Sequence, residues 1–227
     1  MKHSNLKLLL SLPILVTALI LNHGCSSSDR QERPEAQDSG QAVPAPPYGY
    51  EGLTQTHYDV DPVLLGFTYE DSTLGLRFAP PRGWAPVEER QFERVRGTIG
   101  RFFPDSGPFR AIPERIFIDE GRMIFMIVAT LDHWPSPESP FSALPDYRAV
   151  VDEAMPDMSV QADLLQSGEI GIYQLNMSND IAVNRRLILI REGHLPVRVD
   201  YIAPRKLYED LAVSIDASIG SFRPLDR

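Results

Sequence analysis

The spacing of apolar residues changes several times along this chain, and each change predicts an element. Near the C-terminal end Leu195, Val197, Val199 and Tyr201 alternate with Pro196, Arg198, Asp200 and Ile202. A period of two predicts a strand with one face in the core and the other toward solvent. From Pro204 the spacing lengthens to four, with Leu207, Leu211, Ile215 and Ile219 on one stripe, which predicts a helix. Glu209 and Asp210 lie near its start, and Gly220 suits a C-terminal cap.

Upstream, residues 160–165, 170–177 and 181–190 read as strands divided by Ser167-Gly168-Glu169 and Ser178-Asn179-Asp180. The turn Glu192-Gly193-His194 then leads to the strand at 195. Loops this short join antiparallel neighbours, because a parallel crossover takes about a dozen residues or more. A further hairpin links residues 115–119 to 123–131 through Glu120-Gly121. Residues 123–129 show no polar alternation, so that strand must be covered on both faces. One covering helix carries Leu144, Tyr147, Val151 and Ala154 between Pro145 and Pro156. Another, over residues 87–103, places Phe92, Val95, Ile99 and Phe102 on a stripe. Gly97 and Gly100 weaken it by about 1 kcal/mol each. The expected fold class is α+β, an antiparallel sheet sandwiched between helices.

Leu74-Gly75-Leu76-Arg77-Phe78 forms a short strand that enters the corner Pro80-Pro81-Arg82-Gly83-Trp84. With the closing strand, the helix start at Ala203-Pro204 and the final Ile219-Gly220-Ser221-Phe222, this resembles the PsbP-like superfamily over about residues 65–223. The resemblance implies an α/β/α sandwich whose members mostly bind or stabilise partners. It assigns no functional residue here.

The N-terminal end has a different pattern: Met1, Lys2 and Lys7, an apolar run over residues 8–21, then Gly24-Cys25-Ser26. The run contains Pro13 and falls short of the ~20 residues of a membrane span. It fits a signal-peptide core of roughly 7–15 residues followed by small residues. The segment resembles a bacterial lipoprotein leader, with Asn22 and His23 departing from the usual residues before the cysteine. That resemblance implies removal of residues 1–24 and lipidation of Cys25, which would tie the protein to the membrane. Ser26 after the anchor implies the outer membrane, facing the periplasm. Secretory cleavage near Ser26, with a soluble secreted or periplasmic product, is the alternative. Cys25 is the single cysteine of the chain, which suits attachment better than a disulfide.

Residues 25–57 are rich in Ser, Pro, Gln and charge, and read as a disordered tether. A flexible coil of about 32 residues spans roughly 30 Å r.m.s.. Residues 58–227 then form one domain of ordinary size. Its charge narrows the range of partners. The chain carries 22 Lys and Arg against 31 Asp and Glu; without Lys2 and Lys7 the mature balance is 20 against 31, or −11. This excess argues against nucleic acid and against adsorption to anionic lipid.

Candidate chemistry is sparse. No paired-histidine zinc motif, nucleophile elbow or phosphate-binding glycine loop occurs in the sequence, and no cofactor is expected. Asp132-His133-Trp134 follows the most apolar strand, where a carboxylate beside an imidazole can tune a base. Trp84 and Trp134, with Phe103, are candidates to line a ligand pocket between sheet and helix. Arg185, Arg186 and Arg191 form a local positive group in an acidic domain, a candidate site for an acidic partner. The expected function is a non-enzymatic cell-envelope lipoprotein that docks an envelope protein. A small-ligand carrier and a hydrolase centred on His133 are the alternatives.

Overall fold

The computed structural model describes residues 53–102, 109–135 and 139–225. The leader, Cys25, Phe103 and most of the expected tether therefore lie outside the described residues. In chain order the elements are β1 (Thr54–Gln55), β2 (Tyr69–Asp71), β3 (Leu76–Phe78), β4 (Ala85–Pro86) and α1 (Glu89–Phe102). There follow β5 (Ala111–Asp119), β6 (Ile124–Leu131), α2 (Leu144–Ala154), β7 (Ser159–Ser167) and β8 (Ile170–Ser178). The chain closes with β9 (Ala182–Ile190), β10 (Val197–Pro204), α3 (Arg205–Gly220) and β11 (Arg223–Pro224).

Eight strands form the main sheet in the order β1-β7-β8-β9-β10-β6-β5-β4, and β11-β3-β2 form a second, small sheet. Strands β7 to β10 run antiparallel, as their short turns require. Strand β6 closes against β10, with Val199 opposite Val128, so the most apolar strand lies inside the sheet. One pairing departs from the antiparallel expectation. Thr54 and Gln55 lie parallel to Leu165 and Gln166, which makes the sheet mixed. Composition alone assigns these two residues to the tether; the edge of β7 makes them a strand.

Side-chain alternation decides what each face meets. Met126, Val128, Leu187, Val199 and Tyr201 face Leu211, Ile215 and Ile219 of α3, together with Leu76 and Phe78 of the small sheet. On the opposite face Leu131, Leu175, Ile188 and Ile190 pack against Leu144, Tyr147 and Val151 of α2. Farther along that face, Ile116, Ile127 and Ile202 meet Val87 and the α1 residues Phe92 and Val95. The α+β class and the sheet between helices hold as expected. Of the stripe on α1, the side chains of Ile99 and Phe102 lie outside what the structure describes.

Two expectations need correction. Strand β10 is not solvated on one face: Arg198 and Asp200 are 6% and 1% exposed. Gly220 is the last residue of α3 and does not take the left-handed cap conformation, since Ser221 follows in a right-handed one. Its lack of a side chain serves packing. A Cβ there would lie 2.8 Å from Cβ of Tyr58 and 2.9 Å from its carbonyl oxygen. Residues 53–60 thus pass the sheet edge and lie against the end of α3.

Candidate functional site

The two tryptophans do not share a pocket. Trp84 packs edge-on against Tyr201, ring centres 6.3 Å apart, in the core beneath α3. Trp134 lies on the opposite face with Phe109 and Tyr147, and its indole N–H donates to the Pro140 carbonyl at 2.8 Å. Both rings are consumed by packing. His133 is on the surface, 76% exposed, with its Nε2 3.8 Å from Asp132 Oδ2. The pair lines neither of the clefts described below. Asp132 and His133 make an exposed contact, while Trp84 and Trp134 are core aromatics on opposite faces of the sheet.

The three arginines also separate. Arg191 is buried and donates from Nη1 to Gly75 O at 2.7 Å and from Nη2 to Leu74 O. Those bonds pin the β2–β3 turn, where Gly75 adopts φ +61°. The same turn is held by Asp71, whose Oδ1 accepts from the backbone N–H of Thr73 and Leu74 and whose Oδ2 pairs with Arg115 at 2.9 Å. Arg185 reaches the α3 side, pairs with Asp216 and lies 5.7 Å from the ring centre of Tyr208. Arg186 points to the other face and is 3% exposed. A common surface patch does not form, because neighbouring strand residues alternate between faces and each guanidinium is needed within the fold.

Arg186 belongs to a buried ionic cluster that the sequence reading missed. Asp200 Oδ1 accepts from Arg186 Nε at 2.7 Å and from Asn184 Nδ2 at 3.0 Å. Its Oδ2 accepts from Arg198 Nε at 2.6 Å. Arg186 Nη1 also donates to the Tyr147 hydroxyl of α2 at 3.3 Å. Burial pushes the Asp200 carboxyl up, but the two guanidinium groups outweigh it and hold the group at about 2. Arg186 Nη2 and Asn184 Oδ1 are buried and have no hydrogen-bond partner among the described residues. The charges at alternating positions 184, 186, 198 and 200 were visible in sequence. Their burial depended on α1 and α2 lying across that face.

On the opposite face a tyrosine-rich cluster fastens the N-terminal segment. The Tyr58 hydroxyl donates to Gln174 Oε1 at 3.2 Å, and burial pushes its phenol up to about 12. Tyr201 is raised by the same cause, with its hydroxyl 2.9 Å from Ser218 Oγ. An open cleft of about 300 Å³ nearby is lined by Arg185, Arg205, Tyr208, Asn176 and Ser159. A larger one, about 640 Å³, lies where the β7–β8 turn meets the small sheet. Its walls carry Arg77, Arg223, His57, Ser167, Gly168 and Glu169. No group of three or more metal-ligating side chains occurs among the described residues.

The fold thus defines an α+β module, with a mixed sheet between helices and polar clefts at its periphery. No family model matches the chain, and no curated protein sequence matches it. Among solved structures it is similar to the solution structure of cyanobacterial PsbP (CyanoP) from Synechocystis sp. PCC 6803. That similarity has 15% sequence identity, covers 70% of this chain and 91% of the other, and has a TM-score of 0.44.

Proposed function

We propose that this chain is a non-enzymatic cell-envelope lipoprotein: a PsbP-like binding module held near a membrane by lipid on Cys25, docking an envelope protein. The observation that carries the reading is the order of parts along the chain. A leader with its cysteine comes first, then a polar tether, then a module whose ionic groups around Asp200, Arg191 and Arg185 serve its own architecture. Tethering raises the local concentration of such a module toward membrane-bound partners without any new contact.

The test is made in cells. Metabolic labelling with an alkyne fatty acid should mark the wild-type chain and leave Cys25→Ala unmarked, with the variant lost from the membrane fraction. Crosslinking in intact cells should join the wild-type chain to a defined envelope protein. An unmodified Cys25 in a full-length cytosolic product would overturn the reading.

A further inference from the structure

Arg77 and Arg223 stand directly opposite each other in the antiparallel β3–β11 pair. Their neighbours Leu76, Phe78 and Phe222 are buried, so both arginines lie on the outer face of the small sheet, and both are exposed. Opposed residues of this kind have Cβ atoms about 4.5–5.5 Å apart, and like charges so placed are destabilising. The arrangement occurs in a chain of net charge −9, in which carboxylates are plentiful. Yet neither guanidinium forms an ion pair among the described residues. Even Glu70, the register partner of Arg77 on its other side, makes no such pair with it.

Arg223 is held in place by other means. Its Nη1 donates to the carbonyl oxygens of Gly220 and Phe222, each at 2.6 Å. One donor edge is thereby committed and the orientation of the fork is set before anything binds. Both arginines line the cleft of about 640 Å³, facing the Ser167-Gly168-Glu169 turn and His57. That volume suits a small molecule, for which pockets run about 300–1,000 Å³. Glu169 is the acidic residue of the lining and His57 its third basic one.

We infer that the Arg77–Arg223 cleft binds an oxyanion, a carboxylate or phosphate group carried by a small molecule or by a lipid headgroup. Guanidinium groups lining one cleft form short, charge-assisted and bidentate hydrogen bonds to such groups. The bound anion also removes the repulsion between the two cations. This site is independent of where the chain resides, and its failure would leave the anchoring proposal untouched.

The experiment is titration calorimetry of the full chain in detergent with inorganic phosphate and with citrate. Co-sedimentation with phosphatidylcholine vesicles, with and without phosphatidic acid, provides the lipid-borne arm. Saturable binding is expected in at least one arm, weakened by added salt and by about tenfold or more in Arg77→Gln and in Arg223→Gln. Binding to free anions identifies a soluble ligand, and binding to phosphatidic acid vesicles alone identifies a headgroup. Melting curves give a second reading. Without anion at low salt, Arg77→Gln should melt no lower than the wild type, and only the wild type should gain stability on adding the anion. Absence of saturable binding in every arm, or equal binding by the double variant, overturns the proposal.

Discussion

Asp200 ties the polar residues of two strands into one interior unit: it takes bonds from Asn184 and Arg186 on β9 and from Arg198 on its own strand. Removing one member of a buried ionic group strands the others without their counter-charge, which costs about 3–5 kcal/mol. Asp200→Asn should therefore lower the unfolding free energy by that amount in urea titration at neutral pH. The same carboxyl gives the molecule an acid limit. Its folded value, about 2, lies below the ordinary carboxylate value of about 4. Its contribution is then complete above about pH 4 and is lost as the pH falls toward 2. The variant should lack that part of the acid transition. A sequence alone cannot reveal this role. Arg198 and Asp200 alternate with Val197 and Val199 as any solvated face would, and only the helices laid over them make the face an interior.

The segment from β1 to Tyr58 and the end of α3 illustrate how an element is fixed by a residue far away in sequence. Gly220 was legible as a helix end, but its reason was not, because its partner Tyr58 lies in a stretch whose composition reads as linker. Gly220→Ala would drive a Cβ into Tyr58 backbone, and overpacking of this kind costs about 1–3 kcal/mol. The contact can be read separately from global stability. Tyr58 keeps its proton up to about pH 12 because it is buried, so its stabilising effect persists below the ordinary phenol value of about 10. That effect is lost as the pH climbs through 12. In Gly220→Ala, spectrophotometric titration should show one tyrosine shifted back toward 10 with the other buried phenols unchanged. A clash at Gly171 would be milder, since the atom met first is the ring tip of Phe141 at 2.7 Å and not backbone.

For the whole molecule, the sequence carried the long strands and helices well. The expected helix over Leu144 to Ala154 coincides with α2, and the β7–β10 meander follows from its three short turns. These elements declare themselves because each repeats its own period over two or more turns of pattern. Pieces of two or three residues, such as β1, β4 and β11, have no period to show. They exist because a neighbouring edge offers hydrogen bonds. The same distinction explains the candidate residues. Asp132, His133 and Trp134 are adjacent in sequence yet diverge in space, while Arg77 and Arg223 are brought face to face by a pairing that spans most of the domain.

The two-residue strand at the sheet margin also sets how the molecule yields when it is pulled. Tension arriving through Leu53 is carried first by Thr54–Gln55 against β7 and by the Thr56 N–H on the Gln166 carbonyl. Only afterwards does it reach Tyr58 and then the interior. Stretching single molecules from the N-terminal side should give a small early release of chain, followed by a separate rupture at higher force. The few residues released in that first step include Gln55, Thr56 and His57, so the same pull strips one wall from the arginine cleft.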